Sequence, residues 1–231
     1  MALRVLTWNL MHGRALPPAG RQLFEEFAGA LEHWEWDVAL LQEVPPWWPS
    51  ILGARLGADW RLALTSRNAL LALRRAIAKR RPDAIKSNGG GCNAILARGR
   101  EIVEHRTQRL CSLPERRWVQ GVHLAGPDGL WVCNLHTASD ASQGRRAGEI
   151  VLGWAEGTQE AVAWAAGAPV VLGGDFNVRD PSLPGFAYAG GHESDHVFVR
   201  GLRPEGAAKV LDRGHLSDHA PVLVSVIDLG P

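Results

Sequence analysis

Four apolar runs in this sequence end on side chains that can hold or move charge, and a fifth begins just behind such a pair. Asn9 follows RVLTW, Glu43 follows VALLQ, Asn134 and His136 follow LWVC, and Asp175 and Asn177 follow VVLGG. Asp218 and His219 stand in LSDHAPV, ahead of the last apolar run. Asn and Asp are common turn formers, so each of these taken singly also has a structural reading. Glu43 is different. A carboxylate closing a buried strand needs a partner, because desolvating it alone costs on the order of several kcal/mol. A divalent cation is one such partner.

Pooled, these residues describe one chemistry. The oxygen donors Glu43, Asp175, Asp218, Asn9 and Asn177 suit Mg²⁺, Mn²⁺ or Ca²⁺ and not zinc. His136 and His219 suit proton transfer near neutral pH. The sequence contains neither GxSxG nor GxxxxGK[ST], which removes a nucleophile elbow and a Walker phosphate loop. The residue types that remain fit attack of water on a phosphorus ester, with a metal neutralising the phosphate and a histidine activating the water.

The elements that must position these groups can be read from periodicity. Strands are expected at Leu3–Leu10, Asp37–Val44, Arg117–Leu124, Leu130–Leu135, Val170–Gly173, His196–Arg200 and Pro221–Ile227. A further strand is expected in CNAILARG, after the glycine-rich SNGGG. Pro45 and Pro46 stop the second strand. The turn Gly126-Pro127-Asp128-Gly129 joins two others. One helix face runs through Leu23, Phe24, Phe27, Ala30, Leu31 and Trp34 within Arg21–Trp34. A basic helix at Ala69–Arg81 ends at Pro82, and an alanine-rich one at Gly148–Ala166 offers Ile150, Val151, Trp154 and Trp164 to the core. Strands mixed with helices predict an α/β fold of sheets covered by helices. With no Pro- or Ser-rich linker, residues 1–231 are expected to form a single domain.

Composition narrows the setting. Net charge is +1, so any attraction for anions must be local. Cys92, Cys111 and Cys133 are odd in number and form no CxxC pair, which predicts free thiols in a reducing compartment. There is no apolar leader and no membrane-length apolar run, so a cytoplasmic protein is expected, with no transmembrane segment and no obligate protein partner. The stretch Arg74–Lys86 carries six basic residues against one aspartate. It is read either as a solvated helix face or as a polyanion-binding patch. Trp47 and Trp48, just past Glu43, either stack on bases or pack against a following helix.

The segments TWNL, LLQEV, CNAILARG, CNLHT, GGDFN, SDHVFV and LSDHAPV together resemble, in order and nearly end to end, the endonuclease/exonuclease/phosphatase superfamily with its deoxyribonuclease I-like fold. The resemblance implies a four-layer α/β/β/α sandwich with its site at the top of two packed sheets. It implies a divalent-metal-dependent hydrolase of phosphate esters using Mg²⁺ or Mn²⁺. Glu43 would be the principal metal ligand, with Asn9 beside it and Asp218 near a second position. Asp175 would orient the attacking water or stabilise the leaving group, while Asn177 and Asn134 hold phosphate oxygens. His219 would be general base or transition-state stabiliser, with Asp195 of SDHVFV fixing its tautomer, and His136 a second histidine at the scissile phosphate.

Two departures qualify the resemblance. The single tyrosine, Tyr188, lies in the wrong segment for an abasic-site endonuclease. Arg116 and Arg117 stand where secreted deoxyribonucleases carry a glutamate supporting the second histidine. Arg117 is then either a phosphate clamp or a solvated strand end. The leading expectation is a phosphodiesterase with nucleic acid as favoured substrate, a nuclease. A phosphatase or phosphodiesterase acting on a small or lipid-derived phosphate ester is the first alternative. A catalytically silent binding protein on the same fold is the second.

Overall fold

The computed structural model describes residues 2–65, 68–84, 91–112, 116–127, 129–137 and 147–228, with backbone alone for 147–154. Lys86, Asp128, residues 87–90 and the side chains of Ile150, Val151 and Trp154 lie outside the described residues. The chain forms β1 (Leu3–Asn9), α1 (Phe24–His33), β2 (Val38–Val44), α2 (Trp48–Leu56), β3 (Ala58–Leu64), α3 (Leu71–Arg80) and β4 (Cys92–Arg98). It continues with β5 (Ile102–Cys111), β6 (Arg117–Leu124), β7 (Trp131–His136), α4 (Ala147–Ala165) and β8 (Val170–Asp175). The last elements are β9 (Ala187–His192), β10 (Asp195–Arg200), β11 (Leu202–Pro204), β12 (Lys209–Val210) and β13 (Val222–Asp228).

Among the described residues these strands make two mixed sheets. The first has the order β11-β13-β1-β2-β4-β3, with β12 also on β13, and the second the order β5-β6-β7-β8-β10-β9. Their facing sides alternate branched apolar residues, as a two-residue strand period requires. Val5, Val38, Leu40 and Ile95 of one sheet meet Val122, Val132, Val171 and Val197 of the other, all buried. The outer face of the first sheet packs Leu6, Trp8 and Leu41 against Phe27, Leu31 and Leu52 of α1 and α2. The outer face of the second packs Val119, Leu135 and Leu172 against Ala161 and Ala165 of α4. The layers therefore run α/β/β/α. No helix among the described residues is long and apolar enough to cross a membrane.

Strand pairing brings the polar strand ends together. β1 and β2 are parallel, with Asn9 level with Gln42. β7 and β8 are parallel, with His136 level with Asp175. β10 runs back along β8, so its first residue, Asp195, pairs with the last, Asp175. β13 runs back along β1 with Thr7 opposite Val222, which brings the segment before β13 beside the end of β1. Gly174 permits the β7–β8 approach. Its φ is +141°, and a Cβ there would come 1.9 Å from the Leu135 carbonyl oxygen. The GG pair thus serves strand packing.

A buried asparagine helps to join the two sheets near this end. On β2 the pairing with β4 passes from Leu41↔Ala94 to Val44↔Cys92, so β2 carries one extra residue. Such a bulge interrupts the ladder and re-aims the side chains beside it. Asn134, from β7 of the other sheet, reaches across. Its Nδ2 donates to the carbonyls of Leu41 and Ala94, both at 3.0 Å, and its Oδ1 accepts from Gln42 Nε2 at 2.8 Å. Asn134 is wholly buried. This corrects the expectation that it holds a phosphate, because its carboxamide is spent on the sheet-to-sheet contact.

Replacing Asn134 with alanine strips partners from two buried carbonyls and from Gln42. Each orphaned group costs about 1–3 kcal/mol, so a loss of roughly 3 kcal/mol is expected. For a chain of this size that corresponds to a melting temperature lower by about 6–12 °C. Calorimetry on Asn134→Ala checks it; an unchanged melting temperature would remove the stapling role.

Candidate active site

The end of β8 is the hub. Asp175 is buried, and its Oδ2 accepts from Asn9 Nδ2 at 3.0 Å. The same oxygen lies 3.5 Å from His136 Nε2 and 3.9 Å from His219 Nε2. Its Oδ1 accepts the Asn177 backbone N–H at 2.9 Å. The strand has ended by then, and Asn177 has a φ of +54°. Asp175 and Asn177 are therefore not related by the two-residue alternation of extended chain. A carboxylate-closed turn, not strand alternation, brings them together. Asn177 Nδ2 donates to the Thr137 carbonyl at 2.9 Å, while Phe176 points into the core, wholly buried.

Asp195 opens β10 beside this hub. Its Oδ2 lies 2.6 Å from His219 Nδ1, while Oδ1 is buried with no hydrogen-bond partner among the described residues. His219 is anchored from three sides. Its carbonyl accepts from Trp8 Nε1 at 2.9 Å, its N–H donates to Ser217 Oγ at 3.1 Å, and Ser217 Oγ donates to the Asn9 carbonyl at 2.6 Å. The ring's Nδ1 is committed to Asp195, which leaves Nε2 facing Asp175. Asp218, the chain neighbour, is exposed, with one oxygen 3.8 Å from His219 Nε2.

Glu43 stands at the bulge in the left-handed region, with a φ of +51°. Its Oε1 is 4.0 Å from His136 Nε2. Its Oε2 is 3.2 Å from Nε2 of His12, a residue that sequence reasoning missed. His12 lies on the 3-10 turn Met11–Gly13 after β1, outside any strand-end pattern, so periodicity gives no signal for it. Arg117 is buried, with Nη1 2.7 Å from Nε2 and 2.9 Å from Nδ1 of His136. The solvated strand end is thereby excluded for Arg117, whose guanidinium faces the site.

The two histidines sit in opposite environments. Burial is the main cause that pushes His136 well below the usual 6.5, and the Arg117 charge adds to it. It is neutral and can accept from Arg117. Burial also opposes charge on His219, but the bond to Asp195 and the charges of Asp195, Asp175 and Asp218 outweigh it and raise the ring to about 10. For Asp195 burial dominates and lifts the carboxyl to about 7, with the bond to His219 pulling it down. With three carboxylates around one imidazole, the shared proton belongs to the ring.

A divalent cation fits the donor set. Glu43, the exposed Asp218 and Asn9 Oδ1 are hard oxygen donors. Asn9 Oδ1 accepts the Met11 N–H at 2.9 Å and keeps a second lone pair. Cys92 and Cys133 are buried in the core, where burial pushes both thiols up, so no thiolate competes. Asp175, Asp195 and His219 also offer ligand atoms within 4.8 Å of one another. That group already contains a short hydrogen bond and lies deeper than Glu43.

Of the two tryptophans, Trp48 is buried against Phe24 and Phe27, which is the helix-packing reading. Trp47 instead lines a cleft of about 550 Å³ with Pro46, Leu71, Ala72, Arg75, Ala76 and Lys79. The Arg75 guanidinium lies 5.5 Å from the Trp47 ring centre.

Comparison with known proteins agrees with the fold. Residues 6–219 match the Endonuclease/Exonuclease/phosphatase family. No curated protein matches the sequence. Among solved structures, a mannosyl-6-phosphatase from Bacteroides thetaiotaomicron VPI-5482 superposes with a TM-score of 0.73 at 18% identity, over 97% of this chain and 99% of that one. A humanized TDP2 from D. rerio gives 0.72 at 15% identity, over 98% and 99%. A functionally unknown conserved protein from Enterococcus faecalis V583 gives 0.72 at 16% identity, over 98% and 100%. At these identities the structural likeness bears on the fold.

Nitrogen-15 NMR in chelator tests the electrostatic contrast. The His219 ring is expected to stay doubly protonated as pH rises toward about 10, whereas His136 stays neutral at pH 7. Asp195→Asn should bring the His219 midpoint down markedly. A wild-type His219 titrating near the ordinary 6.5 would contradict it.

Proposed function

This chain belongs to the endonuclease/exonuclease/phosphatase family, and on that premise we propose that it is a phosphodiesterase with nucleic acid as its favoured substrate. Hydrolysis of phosphate esters with a divalent metal is the chemistry of that family, and the chain is a hydrolase of this class. The nuclease reading and the choice of Mg²⁺ or Mn²⁺ are the finer proposal.

The roles follow from the geometry. A cation held at Glu43, with Asn9 and Asp218 as further donors, would neutralise phosphate charge and favour in-line attack. Asp175 accepts from the attacking water and orients it, with Oδ2 facing Nε2 of both His136 and His219. His219 presents Nε2 to the reacting phosphate. Asp195 holds the opposite nitrogen and thereby fixes ring orientation, as the buried carboxylate of a catalytic triad does. Asn177 has one Nδ2 proton beyond its bond to Thr137 and offers it to a phosphate oxygen. Arg117 and His136 lie behind the same position, where the guanidinium adds positive charge.

The observation that carries the substrate class is the cleft of Trp47, Arg75 and Lys79, which opens three residues beyond Glu43. An aromatic face with cations at its rim suits a base and a neighbouring phosphate. Arg74 and Arg80 of α3, with Arg81 just past its end, add positive charge to the same segment. A second reading has its own observation. Leu70 and Leu73 on the same segment are 75% and 56% exposed, which favours a lipid-derived phosphate ester.

A panel of phosphoesters assayed with Mg²⁺, with Mn²⁺ and in chelator tests the class. The triple variant Arg75→Ala, Lys79→Ala, Arg80→Ala tests the substrate. It is expected to raise KM for a long nucleic acid and leave a small chromogenic phosphodiester almost unaffected. Its log K against log[salt] slope should be shallower by up to about 2–3, near 0.9 per lost phosphate contact on duplex DNA. Equal behaviour of variant and wild type on both substrates at every salt concentration would remove nucleic acid from first place.

A further inference from the structure

We propose that His12 is a nitrogen ligand of the metal held at Glu43, and that it biases the centre toward Mn²⁺ over Mg²⁺. The inference rests on the metal-dependent reading above and deepens it. His12 Nε2 lies 3.2 Å from Glu43 Oε2. Two neighbouring ligands of an octahedral first-row cation, each bound at about 2.1–2.2 Å, are about 3.0–3.1 Å apart. The pair already has the spacing of two donors to one ion.

The backbone around both residues is held in an uncommon form. His12 has a φ of +56°, Met11 of +47° and Glu43 of +51°. Non-glycine residues adopt this region at a cost, and such strain gathers at sites where the surrounding structure over-determines it. The determinants are visible. Asn9 Oδ1 takes the Met11 N–H at 2.9 Å, which ties the turn to the strand end. Gly13 follows with a φ of +74°, and a Cβ on it would come 2.4 Å from the Trp48 ring, so the turn lies directly on that buried tryptophan. Gly91, opposite, makes room for the imidazole, since a Cβ there would approach His12 Cε1 to 3.0 Å. The carboxylate is delivered by the bulge in β2 and the imidazole by the turn after β1, from two independent local structures.

A nitrogen donor changes what the centre selects. Mg²⁺ keeps to oxygen ligands, whereas imidazole suits later first-row ions, and Mn²⁺ accepts carboxylate and imidazole together. Replacing His12 by glutamine keeps a hydrogen-bonding group of similar reach toward Glu43 but removes the imidazole nitrogen.

The test reads metal binding directly, without substrate. Calorimetric titration of the metal-stripped protein with MnCl₂ and with MgCl₂ is compared among wild type, His12→Gln and Glu43→Gln. Pulsed electron paramagnetic resonance of the Mn²⁺-loaded forms looks for modulation from a directly bound nitrogen. The inference expects ¹⁴N modulation in wild type and its loss in His12→Gln. It expects Mn²⁺ affinity to fall about tenfold or more in that variant, while Mg²⁺ affinity changes less than about threefold. Melting in chelator shows whether the variant folds as wild type does; if it does not, ¹⁴N modulation in wild type carries the decision, with its absence overturning the inference. Equal losses for the two ions in a folded variant, or nitrogen modulation unchanged in His12→Gln, overturn it too and leave Glu43 as an oxygen-ligated centre. If Glu43→Gln retains full affinity for both ions, the metal position itself is wrong, and the inference falls with the reading beneath it.

Discussion

The functional end of the molecule depends on one buried carboxamide. Asn134 crosses from the second sheet to satisfy two carbonyls of the first, at the place where an extra residue in β2 interrupts its ladder. That interruption turns Glu43 out of the strand and into the left-handed region. The next side chain on the same face of β7, His136, then meets Glu43 and Asp175. The staple therefore relates two halves of the site that come from different sheets. It also accounts for the burial of Asn134 between the sheets, since unsatisfied carbonyls at the bulge would cost more than the asparagine does.

The second constraint is electrostatic. Glu43, Asp175, Asp195 and Asp218 converge on one end of the sandwich, with Arg117 and the His219 ring as positive charges facing them. Such a concentration of carboxylates works against folding unless cations offset it. The same arrangement explains the division between the histidines. His219 is surrounded by carboxylates and raised, whereas His136 has a guanidinium against it and is lowered. Environments that push two like groups apart let one fold supply distinct acid–base roles at one pH.

Much of this was legible in the sequence, and the losses have physical causes. Long strands with strong apolar character, such as β1, β2, β8 and β13, were placed within a residue or two at their ends. The edge strand β5, IVEHRTQRLC, was missed because its mostly solvent-facing side chains blur the alternation. β3 was missed for a similar reason, and β11 and β12 are only three and two residues long. In the site, the polar strand ends named Glu43, Asp175, His136 and His219, the family resemblance added Asp195, and the structure brings these five together. Asn134 carried the same signal but faces the opposing sheet, since strand-end position does not reveal which partner a carboxamide meets. The Asp175–Asn177 geometry has no periodicity signal, because the chain leaves β8 at Asp175 and turns. His12 had no signal at all, as its position comes from a turn fixed by tertiary contacts.

The central claim is that side chains from separate strand ends act as one hydrolytic unit, and a double-mutant cycle on Asp195 and His219 tests it most directly. Phosphodiester hydrolysis is measured with saturating metal for wild type, Asp195→Asn, His219→Ala and the double variant. His219→Ala is expected to lose at least about 10²–10⁴-fold, the range for a positioned proton-transfer group. Asp195→Asn should lose as much or less, and the double variant should be little worse than the worse single one, because members of a unit are strongly non-additive. Losses that multiply would show that Asp195 does not act through His219, and a His219→Ala enzyme with full activity would contradict the account at its centre.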